Sequence, residues 1–324
     1  MAYAMVANTA GNAGVFKKQD TGIGRPRKGQ LVIKHTAIGL NFIDVYQRSG
    51  LYPAPGGYPA VLGCEAAGIV DGIGAGTQGF RLGDRVAYTI PGGSYCSHRM
   101  MPADQVVKIP TCVSDEVAAG AMLKGLTAQY LIHDCYRPRK GDTVLVHAAA
   151  GGVGLIVGQW LADKGIECIG TAGGKAKCKL ASEAGYTRVI DYQKDNFVAK
   201  VLRMTQKVGV AAVYDSVGKD TYPGSLEVLR KFGTFVAFGQ SSGVPDFQLA
   251  DLSVHGSLHA TRPTLFHFIS NRQELTKRSR QLFKMIAEDK IKIQINQTYS
   301  LRDVAKAHRD LEGRKTTGQT ILIP

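Results

Sequence analysis

"VLVHAAAGGVGLIVGQW" (Val144–Trp160) decides how the chain is read. No formal charge falls between Val144 and Ala162, a span long enough to invite a transmembrane reading. Its glycines argue against that. Gly151, Gly152, Gly154 and Gly158 would each weaken a continuous helix by roughly 1 kcal/mol relative to alanine. The stretch divides better into a buried strand (Thr143–His147), a glycine turn, and a helix (Gly154–Gly165) with Leu155, Gln159 and Ala162 on one side. Strand, glycine turn and helix in that order form a dinucleotide-binding fingerprint, here Ala149-x-Gly151-x-x-Gly154. The backbone is expected to turn sharply at Ala149. Gly151 lets the main chain approach a pyrophosphate, and Gly154 lets the helix pack closely on its strand. The unpaired N–H groups at the helix start then face the anion.

The second strand tells which dinucleotide. Sites for NAD place Asp or Glu at its end, about 20 residues past the turn, to bind the ribose hydroxyls. Here "GIECIGTAGG" (Gly165–Gly174) ends without an acid, and Lys175, Lys177 and Lys179 follow at once. A carboxylate would repel a 2′-phosphate, whereas ammonium groups attract it. The expected cofactor is NADPH.

Outward from this motif, helix-like and strand-like segments alternate. "KAKCKLASEAG", "NFVAKVLRMT" and "YPGSLEVLRKFG" read as helices; "RVIDY", "VAAVYDSVG", "TFVAFGQ" and "GSLHATRP" read as strands. That rhythm predicts a doubly wound parallel sheet covered on both faces. Residues 1–120 differ. They are strand-like, punctuated by Gly and Pro, and show no helical rhythm until about Ser114–Ile132. From about Leu265 the pattern returns to helix ("SRQLFKMIAED"), strand ("IKIQINQTY") and helix ("LRDVAKAHRDLEG").

The 324 residues suggest two domains, and the net charge of +14 favours anionic ligands. No secretory leader is read in "MAYAMVANTAGNAGVFKKQD", and no second apolar span accompanies the first, so no membrane partner is expected. The six cysteines are scattered without a C-x-x-C pair, which points to free thiols and a cytoplasmic setting.

A β-rich domain, then a nucleotide domain, then a return segment resembles the medium-chain dehydrogenase/reductase superfamily. Within it the chain resembles the zinc-free NADPH:quinone oxidoreductases related to zeta-crystallin. The resemblance runs nearly end to end. It rests on "GLNFIDVYQRSGLYP" (Gly39–Pro53), "GCEAAGIV" (Gly63–Val70), "GDRVAY" (Gly83–Tyr88), "LKGLTAQYL" (Leu123–Leu131), the glycine turn, "VYDSVGKDTY", "FGQSSG" and "TRPTL". It implies an α/β chain with a GroES-like catalytic domain (1–125 and 265–324), a Rossmann NADPH-binding domain (126–264), and a homodimer.

By the same resemblance, Asn41, Ile43, Asp44 and Tyr46 line the nicotinamide side, and Thr127, Gly151, Gly152 and Val153 touch the pyrophosphate region. Gly173, Gly174, Lys177 and Tyr192 hold the adenosine and its phosphate. Ser216, Val217, Phe238, Gly239 and Ser241 flank the nicotinamide half, and Thr261, Arg262, Pro263 and Arg314 close the site. Asn41 is a candidate hydrogen-bond partner of the ribose or of the substrate oxygen. Tyr46 and Tyr52 are the best proton donors, and serve equally well as wall aromatics. Asp44 orients a ribose hydroxyl or, alternatively, caps a helix through "DVYQRSG".

Zinc-dependent relatives hold their metal with a Cys, a His in G-H-E and a distant Cys. The first two positions here carry Asn41 and Cys64, and near the third, Leu145–Ala150 offers only His147. No metal is therefore expected. Zinc stabilises an alkoxide formed from a simple carbonyl. A quinone gives instead a phenolate-like anion, and an enone a delocalised enolate, so conjugated acceptors are the expected substrates. The main reading is a quinone reductase; the alternative is an enone or 2-alkenal reductase. Some zeta-crystallin relatives bind RNA, and Arg272, Lys277, Arg278, Arg280 and Lys284 cluster on one helical segment. No interleaved aromatic residues accompany them, which makes nucleic acid the weakest of the expected partners.

Overall fold

The computed structural model describes residues 2–324. The chain forms two compact units. The first runs to Leu126 and resumes over Phe268–Asp289 and Ile293–Pro324; the second comprises Thr127–His267 with Lys290–Lys292.

The first unit contributes strands β1 (Ala2–Ala7), β2 (Phe16–Thr21), β3 (Gln30–Gly39), β4 (Ala60–Val61), β5 (Glu65–Ile73), β6 (Arg85–Thr89), β7 (His98–Pro102) and β8 (Val107–Lys108). Helix α1 (Phe42–Ser49) follows β3, and α2 (Asp115–Tyr130) follows β8. Strands β2, β1 and β4 make a small antiparallel sheet. The larger sheet is centred on β3, which pairs antiparallel with β5 along most of its length and with β7 at its start. Its inward side chains, Leu31, Ile33 and Ile38, join Leu40, Leu62, Tyr88 and Tyr95 in one core.

The second unit is a six-stranded parallel sheet: β9 (Thr143–Val146), β10 (Glu167–Ala172), β11 (Arg188–Asp191), β12 (Val210–Asp215), β13 (Leu229–Ala237) and β14 (His259–Thr261). Helices α3 (Gly152–Asp163), α4 (Lys175–Glu183), α5 (Phe197–Met204), α6 (Tyr222–Glu227) and α7 (Leu249–Val254) link them, and the short α8 (Leu265–Phe268) follows. The spatial order is β11-β10-β9-β12-β13-β14. That is the doubly wound dinucleotide-binding order, with its reversal between β9 and β12. Every residue of β12 is buried, as a strand covered on both faces requires. The chain then returns to the first unit through α9 (Arg272–Ala287), β15 (Ile295–Ser300), α10 (Val304–Glu312) and β16 (Gln319–Ile323). Strand β16 pairs with β15 and with the Ile38–Gly39 end of β3.

Three expectations need correction. A helix stands well before Ser114: α1 is held at its start by Asp44, whose Oδ2 accepts from the Asn41 backbone N at 2.9 Å, and it ends at Gly50 in the left-handed region (φ 85°). "YPGSLEVLRKFG" is not one helix. It is helical only to Glu227, because Val210 N bonds to Val228 O and Leu229 onward pairs with β12. The strand in "GSLHATRP" is only His259–Thr261, since Ser257 sits at φ 55° and breaks the extended run.

Candidate functional site

The glycine turn begins where β9 ends. The sharp bend falls at Ala148, which takes φ 54°, one residue before its expected place. Ala149 is instead tied to the neighbouring strand, its N–H donating to Thr171 O at 2.9 Å. Gly151 caps α3, and Gly152 and Val153 form its first turn. A Cβ at Gly154 would lie 2.4 Å from Ala148 O and 2.7 Å from Ala149 O, so only glycine lets the helix start this close to its strand. No side chain caps the start of α3, and the positive end of the helix dipole there favours an anion.

At the ends of β10 and β11 the structure brings together Gly173, Gly174 and Tyr192. A Cβ at Gly173 would lie 2.6 Å from the Tyr192 hydroxyl, and Tyr192 N donates to Ala172 O at 3.1 Å. Lys177 is half-buried in the first turn of α4. One carboxylate of this corner was not foreseen. Asp191 closes β11, and its Oδ1 accepts from Gly174 N at 2.8 Å and from Gln193 N at 3.2 Å. It is spent on the backbone of the loop, and β10 itself ends without an acid.

The ends of β12 and β13 are laced together. Phe238 N donates to Asp215 O, Ser241 N to Ser216 O at 3.1 Å, and Ser242 N to Val217 O at 2.8 Å. A Cβ at Gly239 would lie 2.6 Å from Ser216 O. Arg262, between Thr261 and Pro263 at the end of β14, donates to Ala237 O at 2.8 Å, Gly239 O at 3.1 Å and Gln240 Oε1 at 3.0 Å. Its guanidinium therefore fixes the Phe238–Gln240 loop. Beneath lies a buried polar chain that the sequence reading missed. His147 bonds Thr171 Oγ1 at 2.9 Å and Ser225 Oγ at 3.1 Å, and Ser225 donates to Asp215 Oδ2 at 3.0 Å. Burial holds the His147 imidazole below its ordinary pKa, so the neutral ring is favoured. Thr127 is buried in α2.

In the first unit, Asn41 caps α1 and lies almost fully buried. Its Nδ2 donates to Glu65 Oε1 at 2.9 Å. Tyr46, one helical turn along, meets Tyr52 edge to face with ring centroids 5.2 Å apart, and Phe42 flanks it at 6.1 Å. These aromatics make a wall beside the half-buried Ile43. Arg314 lies just beyond α10, at φ 55°.

Asp44 takes the second of its two expected places, at the start of a helix. It is fully buried, and Oδ2 is committed to Asn41 N and to the Tyr95 hydroxyl at 2.8 Å. Through these bonds it secures the start of α1. Burial raises its pKa to about 6, against the lowering effect of the Tyr95 and Asn41 hydrogen bonds. Tyr95 continues the chain to His308 Nε2 at 3.0 Å, where burial takes the imidazole down to about 3.

The residues weighed as metal ligands also fall differently. Cys64 is buried beneath α1, and burial pushes its thiol well above the ordinary range. The segment that meets Asn41 and Glu65 is Leu123–Lys124, not Leu145–Ala150. Leu123 N donates to Glu65 Oε2 at 2.6 Å, and Lys124 Nζ to Glu65 Oε1 at 2.9 Å. Among the described residues, no three His, Cys, Asp or Glu gather as a metal-holding set, and no helix is long and apolar enough to cross a membrane.

The family model for the alcohol dehydrogenase GroES-like domain matches residues 27–134, and the one described as zinc-binding dehydrogenase matches residues 184–322. The chain is 43% identical over 316 residues to a quinone oxidoreductase of Pseudomonas aeruginosa, covering 97% of each. It is 40% identical over 332 residues to a 2-haloacrylate reductase of a Burkholderia species, covering 100% of this chain and 99% of that one. The solved structure of Escherichia coli quinone oxidoreductase complexed with NADPH superposes with a TM-score of 0.95 at 40% identity, covering 99% of this chain and 100% of the other.

Proposed function

Because the chain belongs to the quinone oxidoreductase family of the medium-chain dehydrogenases/reductases, we propose that it reduces quinones with NADPH. The observation that carries this reading is the nucleotide corner of the second unit. A glycine turn opens α3 without a side-chain cap, and β10 ends at Ala172 without an acid, followed by Gly173, Gly174 and then Lys177 in α4. These residues fit NADPH: the start of α3 takes the pyrophosphate, and Lys177 and Tyr192 take the adenosine 2′-phosphate and its ring. Ser216, Val217, Phe238, Gly239 and Ser241 hold the nicotinamide half. In this reading residues 126–264 are the NADPH-binding domain, and 1–125 with 265–324 are the catalytic domain.

Bound NADPH supplies a hydride and becomes NADP⁺. The protein's share is to bind, orient and manage charge. The wall of Tyr46 and Tyr52 gives a flat conjugated acceptor an aromatic surface, and either phenol is a proton source for the reduced oxygen. Asn41 offers its amide oxygen to a hydroxyl. A second acceptor class is favoured by the likeness to a 2-haloacrylate reductase: conjugated alkenes, whose reduction forms an enolate. The test is NADPH oxidation across ortho-quinones, para-quinones, 2-alkenals and 2-haloacrylates. Turnover of quinones well above the alkenes supports the reading, and turnover of alkenes alone replaces it with the second.

Two finer assignments go with it. Strand β14 is one edge of the parallel sheet, and Val244, Phe247, Leu249 and Val254, in the segment of chain that leads to it, are exposed. An open strand edge together with exposed apolar side chains favours a homodimer, and light scattering reads its mass directly. All six cysteines are free thiols, which fits a reducing compartment such as the cytoplasm.

A further inference from the structure

Glu65 opens β5 and is completely buried, yet it gathers three donors: Lys124 Nζ and Asn41 Nδ2 on Oε1, and Leu123 N on Oε2. The fold makes room for it at Gly39, where a Cβ would lie 2.3 Å from Oε1. Four segments thus converge on one carboxylate: the end of β3, the start of α1, the start of β5 and the middle of α2. Lys124 is only 8% exposed. An ammonium has three donors, and Glu65 is the one acceptor that Nζ has among the described residues.

A buried ion pair is a poor way to stabilise a fold, because desolvating both charges offsets their attraction. Its position suggests another use. Lys124 and Asn41 share the same carboxylate oxygen, so the ammonium stands beside the Asn41 amide, which the quinone-reductase reading sets on the acceptor's side. Glu65 also fixes that amide. With Nδ2 donating to the carboxylate, turning the amide over would set Oδ1 against a negative oxygen, so Asn41 keeps Oδ1 as an acceptor for a hydroxyl and leaves the stabilisation of a negative oxygen to Lys124.

We propose that Lys124 is a catalytic electrophile, whose two remaining N–H donors stabilise the acceptor oxygen that becomes negative during reduction, and that Glu65 is the residue positioning both Lys124 and Asn41. The assignment rests on the quinone-reductase reading. In the step it serves, the quinone takes up a hydride, and so two electrons, from NADPH. Negative charge collects on one oxygen beside the Lys124 ammonium, and a proton from a Tyr46 or Tyr52 phenol, itself resupplied from water, completes the hydroquinone. Lys124 gives charge stabilisation throughout and keeps its own proton. A fixed ammonium held in a largely desolvated place acts on a developing oxyanion far more strongly than one in water.

The test compares wild type with Lys124→Met/Glu65→Gln, a pair that leaves neither charge buried alone, and with Lys124→Met. The readouts are thermal midpoint, NADPH affinity by fluorescence, and kcat across quinones whose hydroquinones differ in acidity. The double variant should fold and bind NADPH as wild type does, while kcat falls on the order of 10²-fold for acceptors giving the most basic anions. The fall should shrink as the hydroquinone becomes more acidic, because less charge then needs stabilising. An equal loss for every acceptor, or unchanged rates in a folded double variant, overturns the proposal. Wild-type protein that turns over no quinone at all overturns instead the functional reading beneath it.

Discussion

Replacing Asp44 with asparagine should change how stability depends on pH. Asp44 is fully buried beside the Tyr95 hydroxyl, and burial carries its pKa from 3.8 to about 6. The native state therefore holds this proton more tightly than the unfolded chain does. Its contribution is fully present below the unfolded value and is lost as pH rises through about 6. A rise from 3.8 to about 6 corresponds to about 3 kcal/mol in total, of which about 2 kcal/mol falls between roughly pH 4.5 and 8. The asparagine side chain keeps an oxygen to accept from Asn41 N and Tyr95 but has nothing to titrate. Urea midpoints converted to free energies should show wild type losing about 2 kcal/mol relative to the Asp44→Asn variant across that range. A difference that stays flat with pH, or one that grows in favour of wild type toward pH 8, would refute the argument that desolvation dominates at this carboxyl.

Three shorter expectations accompany it. Gly154→Ala places a methyl 2.4 Å from Ala148 O, so α3 must shift; NADPH affinity should collapse, and the thermal midpoint should fall with it. Lys177→Ala should weaken NADPH roughly 10- to 100-fold, as loss of a charged hydrogen bond does, and leave NADH nearly unchanged in the same fluorescence titration. Equal losses for both nucleotides would remove the 2′-phosphate assignment. Protein purified with a chelator and assayed without added metal should keep its NADPH–quinone rate; a rate restored only by zinc would contradict the reading of Asn41 and Cys64.

The parts legible in the sequence are those whose signal is local. Strand β9, its turn and α3 lie within one stretch, and each glycine there has a steric reason that shows in its spacing. Helix α1 was hard to see because it is short and bordered by glycine and proline. Its start is secured by Asp44, which is in turn gripped by Tyr95 from far along the chain. The start of β13 misled for a different cause: "LEVLRK" has helix-forming residues, and pairing with β12 overrides that propensity. The Glu65–Lys124 pair joins positions far apart in the chain, so no spacing rule could find it. A signal was nevertheless present. Lys124 is the only charged residue between Val117 and Ile132, and Glu65 the only one between Leu51 and Val70. A lone charge inside an apolar run asks for a partner.

The place of β16 bears on how the molecule is made. Leu40, next to Asn41, is tied by its N–H to Thr320 O at 3.0 Å, and the Ile38–Gly39 end of β3 pairs with β16. On the ribosome, that end of β3 emerges early and then waits, without its β16 partner, while the entire second unit is translated. The nascent first unit thus carries an open, apolar strand end through most of its synthesis, a natural handhold for a chaperone and a hazard in its absence. Asn41 gains its full support only when residues 319–323 have left the exit tunnel. Nascent chains arrested before that point should bind nucleotide and yet reduce nothing.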